Sequence, residues 1–368
     1  MHVTEVETIP YALPFREPYV TARGTLERRE MLLLRVHTDS GHAGLGEAVP
    51  MSLRGGDSLA AIERALGRAV RRLRRADLSD FAGEDPLAAA VDAVIHTVAG
   101  RRLPAPAAAA IEVAIFDLAG RASGLPLWRV LRAEAAEPLQ CNATLVAGSP
   151  TDVAADAEGW AARGFTTFKL KLGVGDDLQQ VAAVREAVGG DARIRVDANG
   201  TWSVDDAIAI LDRLEPLGIE LAEQPAAGLR ELAAVREAST VRIAADESIA
   251  SRKEAAKAVS TGACDLATVK LAKVGGMGRA AGIAAELPVY LSSALDGPIG
   301  IAAAAHAAQA IYREATDPGL AHGLATQELF ASTIAARESE LDGDLLRVPG
   351  ALGHGVEIDE AALTDHRI

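Results

Sequence analysis

The sequence predicts an α/β chain in which a compact α+β unit precedes a (β/α) barrel. Two observations point to the barrel. From Leu139 onward, short apolar runs alternate with helical patterns at nearly even spacing, as parallel strands joined by crossover helices require. Polar residues also recur at the ends of at least five of these runs, and only closure of the sheet gathers them around one centre. An open doubly wound sheet accounts for the first observation but not the second. The length of 368 residues, 49% of them hydrophobic and 24% charged, allows a sizeable buried core.

The elements follow in order. Residues 3–9 and 31–36 alternate as strands, with a polar loop over 17–28 between them. Gly41-His42-Ala43-Gly44-Leu45-Gly46 reads as a turn leading into a third strand, followed by a polar loop over 50–57. Residues 58–78 and 85–97 read as helices, and 106–123 as an apolar one stopped by Gly124-Leu125-Pro126. Strands followed by helices make an α+β unit. Then come QCNATLV and helix 151–163, TTFKLKLG and helix 176–188, RIRVDANG and helix 203–214, and IELAEQP and helix 228–238. RIAADES and helix 251–259, LATVKLA and helix 276–286, and PVYLSSAL and helix 298–312 continue the series, and a last short strand is expected near LAHGLAT. The tail, with LLRVP and GHGVEID, is expected to return to the N-terminal unit. The chain thus divides into 1–125, a barrel at 126–329, and a C-terminal segment at 330–368.

Composition excludes several function classes. A net charge of −14 and a pI near 5.1 argue against a nucleic-acid surface. The basic run Arg71-Arg72-Leu73-Arg74-Arg75 lies near Glu63 and Asp77 and reads as a solvated helix face. Cys141 and Cys264 have no CxxC spacing and read as small buried residues. The N-terminus, MHVTEVETIPYALPF, has acids and prolines where a signal peptide needs a basic start and an apolar core. No uncharged apolar run approaches a membrane span, so a cytoplasmic protein is expected. GHAGLG and VGGMG are glycine turns without a dinucleotide-binding context, and no phosphate-binding GxxxxGK[ST] occurs.

The chemistry lies at the strand ends. Asp197, Glu223 and Asp246 end three successive runs, 26 and 23 residues apart (197 to 223 to 246), about one strand–helix unit each. A lone strand-end acid is usually a helix cap or a surface charge. Three converging on one rim repel one another, and a divalent cation is the simplest cure. Oxygen ligands without His or Cys favour Mg²⁺, with Mn²⁺ as a substitute, and leave coordination open for a substrate oxygen. Lys169 and Lys171, two apart on one strand, share a face. Either they are solvated on an edge strand, or they lie inside the barrel and depress one another toward a neutral amine able to act as a base. Lys270 ends the sixth strand across the barrel, and Lys273 lies beyond it and is expected to be peripheral. A metal between two amines suits removal of a proton α to a carboxylate, with charge moving onto enediolate oxygens.

The KxK pair, the DAN, EQP and DES strand ends and VKLAKVGG resemble the enolase superfamily, in its muconate-lactonizing subgroup, over nearly the whole chain. The resemblance implies a modified (β/α)8 TIM-like barrel of (β/α)7β form under an N-terminal α+β capping domain. It implies Asp197, Glu223 and Asp246 as Mg²⁺ ligands. It also implies Lys171 and Lys270 as the acid/base pair, with Lys169 tuning Lys171. Asn199 and Glu247 match positions that support the ligands from behind. Thr268 departs from the pattern, since many relatives have Asn two residues before the sixth-strand lysine; altered hydrogen bonding near Lys270 is expected. The seventh strand lacks the His of the mandelate-racemase subgroup, and His306 and His322 read as structural.

The same first step serves several outcomes. LSSALDGPIG, AHGLATQELFA and TARGTLERRE are most similar to o-succinylbenzoate synthases, which implies syn-dehydration on the menaquinone pathway, with Ser292 and Ser293 meeting the substrate's succinyl portion. A dipeptide epimerase or N-acylamino acid racemase would use both lysines as bases, but the eighth-strand region lacks the Asp-x-Asp that dipeptide epimerases use. A muconate or chloromuconate cycloisomerase is a further alternative, with Asp296 standing where Glu is usual. A non-catalytic ligand-binding relative is disfavoured because every ligand and lysine is present. Arg23 and Arg54, in the two polar loops, are candidates to reach a substrate carboxylate, against ordinary solvated surface. The expected partner is a small carboxylate substrate, with no nucleic acid and no membrane, in a homo-oligomer.

Overall fold

The computed structural model describes residues 1–21, 24–51, 55–98, 102–173, 175–311 and 319–368. It opens on an antiparallel sheet, β1 (Val3–Thr21), β2 (Gly24–Thr38) and β3 (Ala43–Ala48), paired in that order. The polar stretch expected as a loop is instead mostly strand, because β1 and β2 continue pairing through Tyr19↔Leu26 and Thr21↔Gly24 beyond an irregularity after Pro14. A strand reaching past the core is polar on both faces and so reads like a loop. Gly44 and Gly46 sit inside β3 rather than in a turn. A Cβ at either would run into a main-chain carbonyl, Ala114 O or Ala110 O, of the helix packed on the sheet. That helix is α3 (Ala105–Ser123), which follows α1 (Leu59–Leu73) and α2 (Pro86–Val98) and is buried along most of its length. Gly124, at φ 70°, ends it in the left-handed conformation open to glycine.

After α4 (Leu127–Val130) and β4 (Leu139–Gln140), seven parallel strands follow in sheet order. They are β5 (Ala143–Leu145), β6 (Thr167–Lys171), β7 (Arg193–Asp197), β8 (Ile219–Glu223), β9 (Arg242–Ala245), β10 (Leu266–Val269) and β11 (Val289–Leu291). Between them run α5 (Pro150–Ala162), α6 (Asp177–Val188), α7 (Val204–Leu214), α8 (Leu229–Ala238) and α9 (Arg252–Ser260). The short α10 (Leu271–Val274) and α11 (Met277–Ala284) follow β10, and α12 (Pro298–Ile311) follows β11. Ser149, Asp176, Ser203 and Ser251 each cap a barrel helix by accepting a backbone N–H, which fixes where strand ends and helix begins. The eighth strand is reduced to two bridged residues. His322 N donates to Gln140 O at 2.7 Å and Gly323 N to Leu291 O at 2.8 Å, closing β11 onto the start of the barrel. This is the (β/α)7β barrel with an N-terminal cap.

The tail forms β12 (Ala335–Arg337), β13 (Glu340–Asp342), β14 (Leu345–Arg347), β15 (Glu357–Ile358) and α13 (Glu360–His366). Its end meets β1, where Ile368 N donates to Pro10 O, while β14 pairs with β4 below the barrel, so it touches both parts of the molecule. No helix among the described residues is long and apolar enough to cross a membrane. Both cysteines are free.

Candidate active site

Strand register assembles the site. Lys171, Asp197 and Glu223 are successive partners across β6, β7 and β8, so they stand at one level of the barrel. Lys169 lies one inward-facing position below Lys171, Asp246 follows β9 directly, and Lys270 follows β10. All six side chains are buried.

Cations and anions alternate around this rim. Lys171 Nζ donates to Asp197 Oδ2 at 2.5 Å. Lys169 Nζ bridges Asp197 Oδ2 at 3.0 Å and Glu223 Oε2 at 2.6 Å. Lys270 Nζ donates to Asp246 Oδ2 at 2.5 Å and stands 3.9 Å from Glu223 Oε1. Lys273 is not peripheral: its Nζ reaches back to Asp246 Oδ1 at 2.7 Å and to Thr268 O at 3.0 Å, because the short α10 turns it inward. Mutual depression of the lysines is not what governs Lys169. Burial pushes its ammonium down, but Asp197 and Glu223 outweigh burial and hold it well above the ordinary lysine range. Burial likewise pushes Asp197 up, and Lys169, Lys171 and Lys270 outweigh it, holding the carboxyl well below the carboxylate range.

The donor set suits a hard divalent cation. Glu223 Oε1 is buried and accepts no hydrogen bond, an orphan acceptor that a cation would satisfy. Among the described residues no three His, Cys, Asp or Glu side chains converge closely enough to hold an ion as they stand, since ammonium groups are interleaved between the acids. Asp197, Glu223 and Asp246 fit Mg²⁺ by chemistry, with the ammonium groups giving way.

The motif residues beside the acids have defined work. Asn199, at φ 50°, takes Lys171 Nζ on Oδ1 at 3.2 Å and donates from Nδ2 to Glu247 Oε1 at 3.1 Å. Sequence reasoning missed Gln224. At φ 41°, its Oε1 accepts Asp246 N at 2.8 Å, so it ties the Glu223 strand to the Asp246 loop. Strained left-handed conformations on two non-glycine residues beside the acids mark a site held in place by its surroundings. The glutamine of the EQP motif was the available signal. Tyr290, whose hydroxyl donates to Glu223 Oε2, was also missed, since nothing in PVYLSSAL sets it apart.

A cleft opens above Lys169, Lys171 and Lys270. Ser292 and Ser293 line it with Thr144 and Thr326, and Ser293 Oγ lies 2.5 Å from Thr326 Oγ1. Asp296 does not line it. Its Oδ2 accepts Ala294 N at 2.6 Å, and the carboxyl is buried near Glu47. Among the described residues the arginine at the cleft is Arg29, which sequence reasoning passed over; its guanidinium binds Pro50 O at 2.5 Å and Ala294 O at 2.8 Å. Arg23 and Arg54 lie outside the described residues. His306 takes Trp128 N at 3.1 Å and His322 takes Leu291 N at 3.0 Å, and burial pushes both below the ordinary histidine range.

A capped barrel with acids and lysines at its rim defines a class of enzyme acting on small molecules. Residues 152–362 match the Enolase C-terminal domain-like family, and residues 3–131 the Mandelate racemase / muconate lactonizing enzyme N-terminal domain. The chain belongs to the enolase superfamily, in its muconate-lactonizing subgroup, and is an enzyme of that superfamily. It is 33% identical over 321 residues to the L-Ala-D/L-Glu epimerase of Bacillus subtilis (strain 168), covering 83% of this chain and 84% of the relative. It is 41% identical over 196 residues to the o-succinylbenzoate synthase of Mycolicibacterium smegmatis, covering 50% of this chain and 58% of that one. The dipeptide epimerase of Enterococcus faecalis V583, solved with Mg and the dipeptide L-Leu-L-Tyr, superposes with a TM-score of 0.87 at 28% identity, covering 97% of this chain and 100% of that one.

Proposed function

We propose that the rim site abstracts a proton α to a carboxylate, and that the reaction is the syn-dehydration that forms o-succinylbenzoate. The observation that carries the first step is the pairing of Lys171 and Lys270 with different carboxylates, from β6 and from beyond β10, at opposite sides of one rim. Asp197, Glu223 and Asp246 would hold Mg²⁺, or Mn²⁺ in its place. When bound, that ion supplies positive charge that takes over the carboxylates from the lysines and favours the enediolate oxygens. Lys171 accepts the α proton and returns it to the departing hydroxyl, which leaves as water as the Cα–H and C–O bonds break and the ring becomes aromatic. Lys270 holds the enediolate electrostatically, Lys169 biases Lys171, and Asn199 and Glu247 keep Lys171 oriented.

The cleft supports a substrate that carries carboxylates. Its lining carries lysines, Arg29 and the hydroxyls of Ser292, Ser293 and Thr326, and among the described residues no aspartate or glutamate lines it to receive a substrate ammonium. A different observation favours a second reading, dipeptide epimerisation: the 33% identity to an epimerase over 83% of the chain. Incubation in D₂O with Mg²⁺ separates them. Loss of the cyclohexadiene chromophore of the o-succinylbenzoate precursor is expected. Deuterium uptake with racemisation of a dipeptide, without that loss, transfers the assignment to the epimerase. We also propose the division 1–125, 126–329 and 330–368, homo-oligomeric assembly and a cytoplasmic location; limited proteolysis and sizing chromatography test the first two.

A further inference from the structure

Glu223 is gripped on one oxygen only. Its Oε2 accepts from Lys169 Nζ at 2.6 Å and from the Tyr290 hydroxyl, while Oε1, on the side of Lys270, accepts no hydrogen bond. The Tyr290 hydroxyl is itself oriented. Thr268 Oγ1 donates to it at 2.8 Å, which leaves its own proton for Glu223. Thr268 and Tyr290 are register partners on β10 and β11, so the pair is built into the barrel wall. The Tyr290 ring is backed by the Arg195 guanidinium, 4.9 Å from its centroid, and Arg195 is anchored by Ala321 O at 2.6 Å and Glu220 at 2.5 Å. A glutamate's terminal torsion is soft, so an unheld carboxylate swings between two-fold equivalent positions. Here two donors on Oε2 stop that swing. The sequence pointed to altered hydrogen bonding near Lys270 at Thr268, but the hydroxyl serves Tyr290 instead.

We propose that Thr268 and Tyr290 form a positioning relay that fixes Glu223 so that Oε1 is the oxygen offered to a divalent cation. The inference rests on the reading of Asp197, Glu223 and Asp246 as Mg²⁺ ligands. The test is calorimetric titration of Mg²⁺ alone into the full chain and its variants, with thermal midpoints measured without Mg²⁺. Tyr290→Phe keeps the ring and should raise the Mg²⁺ Kd about 10- to 100-fold, as loss of a ligand's supporting hydrogen bond does. Thr268→Val should raise it about 2- to 10-fold, and Thr268→Ser should restore wild-type binding. Wild-type Mg²⁺ affinity in Tyr290→Phe, with only a lowered midpoint, overturns the relay and leaves Tyr290 a packing residue. Binding by Glu223→Gln as tight as wild type, or no binding by the wild type, overturns the ligand reading itself.

Discussion

Two sets of buried carboxylates answer burial in opposite ways. At the rim, Asp197 sits among ammonium groups and is held deeply ionised. Where the N-terminal sheet and α3 meet the barrel helices, Glu47 and Glu112 are held by helix-start N–H groups. Glu47 accepts Gly297 N at 2.7 Å and the Tyr11 hydroxyl at 2.7 Å, and Glu112 accepts Gly278 N at 3.1 Å and Met277 N. Burial lifts each to about 7, with the buried Asp296 adding to the rise at Glu47. The carboxylates are buried in both places, and the charge of the neighbours decides which protonation state wins. The rim is arranged for proton chemistry; the seam joins two parts of the fold through shared helix caps.

The largest test of this contrast is at the rim. Lys171→Ala should lower turnover by about 10⁴-fold, the upper end for a general acid or base, and Lys270→Ala by about 10²- to 10³-fold, as loss of an electrostatic stabiliser does, with circular dichroism unchanged in both. Full activity in Lys171→Ala removes the acid/base assignment, and full activity in Lys270→Ala removes the electrostatic one. At the seam the effect is on stability. Folded Glu47 keeps its proton up to about pH 7, whereas the unfolded group loses it near 4.5, so its contribution is full below pH 4.5 and lost as pH rises toward 7. Relative to wild type, Glu47→Gln should therefore gain roughly 3 kcal/mol between pH 4.5 and 8 in urea melts. Parallel pH curves for the two proteins would show that Glu47 ionises freely. Glu112→Ala leaves the buried Met277 N–H, and the Gly278 N–H beside it, without their acceptor and should cost about 1–3 kcal/mol by thermal melting. Glu30→Ala, which removes an exposed ion pair to Arg28, should change stability by less than about 1 kcal/mol, setting the scale for a charge that burial does not amplify.

Strand spacing and cap residues made the barrel legible. Each expected run from QCNATLV to PVYLSSAL contains a strand, and Ser149, Ser203 and Ser251 start helices where the pattern placed them. The first sheet was less legible, because β1 and β2 are largely exposed over 16–18 and 24–28 and there lose the alternation that burial imposes. Gly44 and Gly46 looked like turn residues because glycine serves both turns and close helix–sheet approach, and a sequence does not distinguish the two.

By itself the sequence determined which charged residues meet. Side-chain alternation on strands and one acid per strand–helix unit place Lys171, Asp197 and Glu223 at one level of any barrel these residues form. Only the tertiary structure decided what those charges do to each other. It paired the lysines with acids rather than with one another, turned Lys273 inward, and left one oxygen of Glu223 without a hydrogen bond. It also set Asp296 against Glu47 instead of in the cleft. Spacing along a chain fixes the level and face of a residue, whereas electrostatic interaction falls off over a few ångströms and depends on packing between elements far apart in sequence.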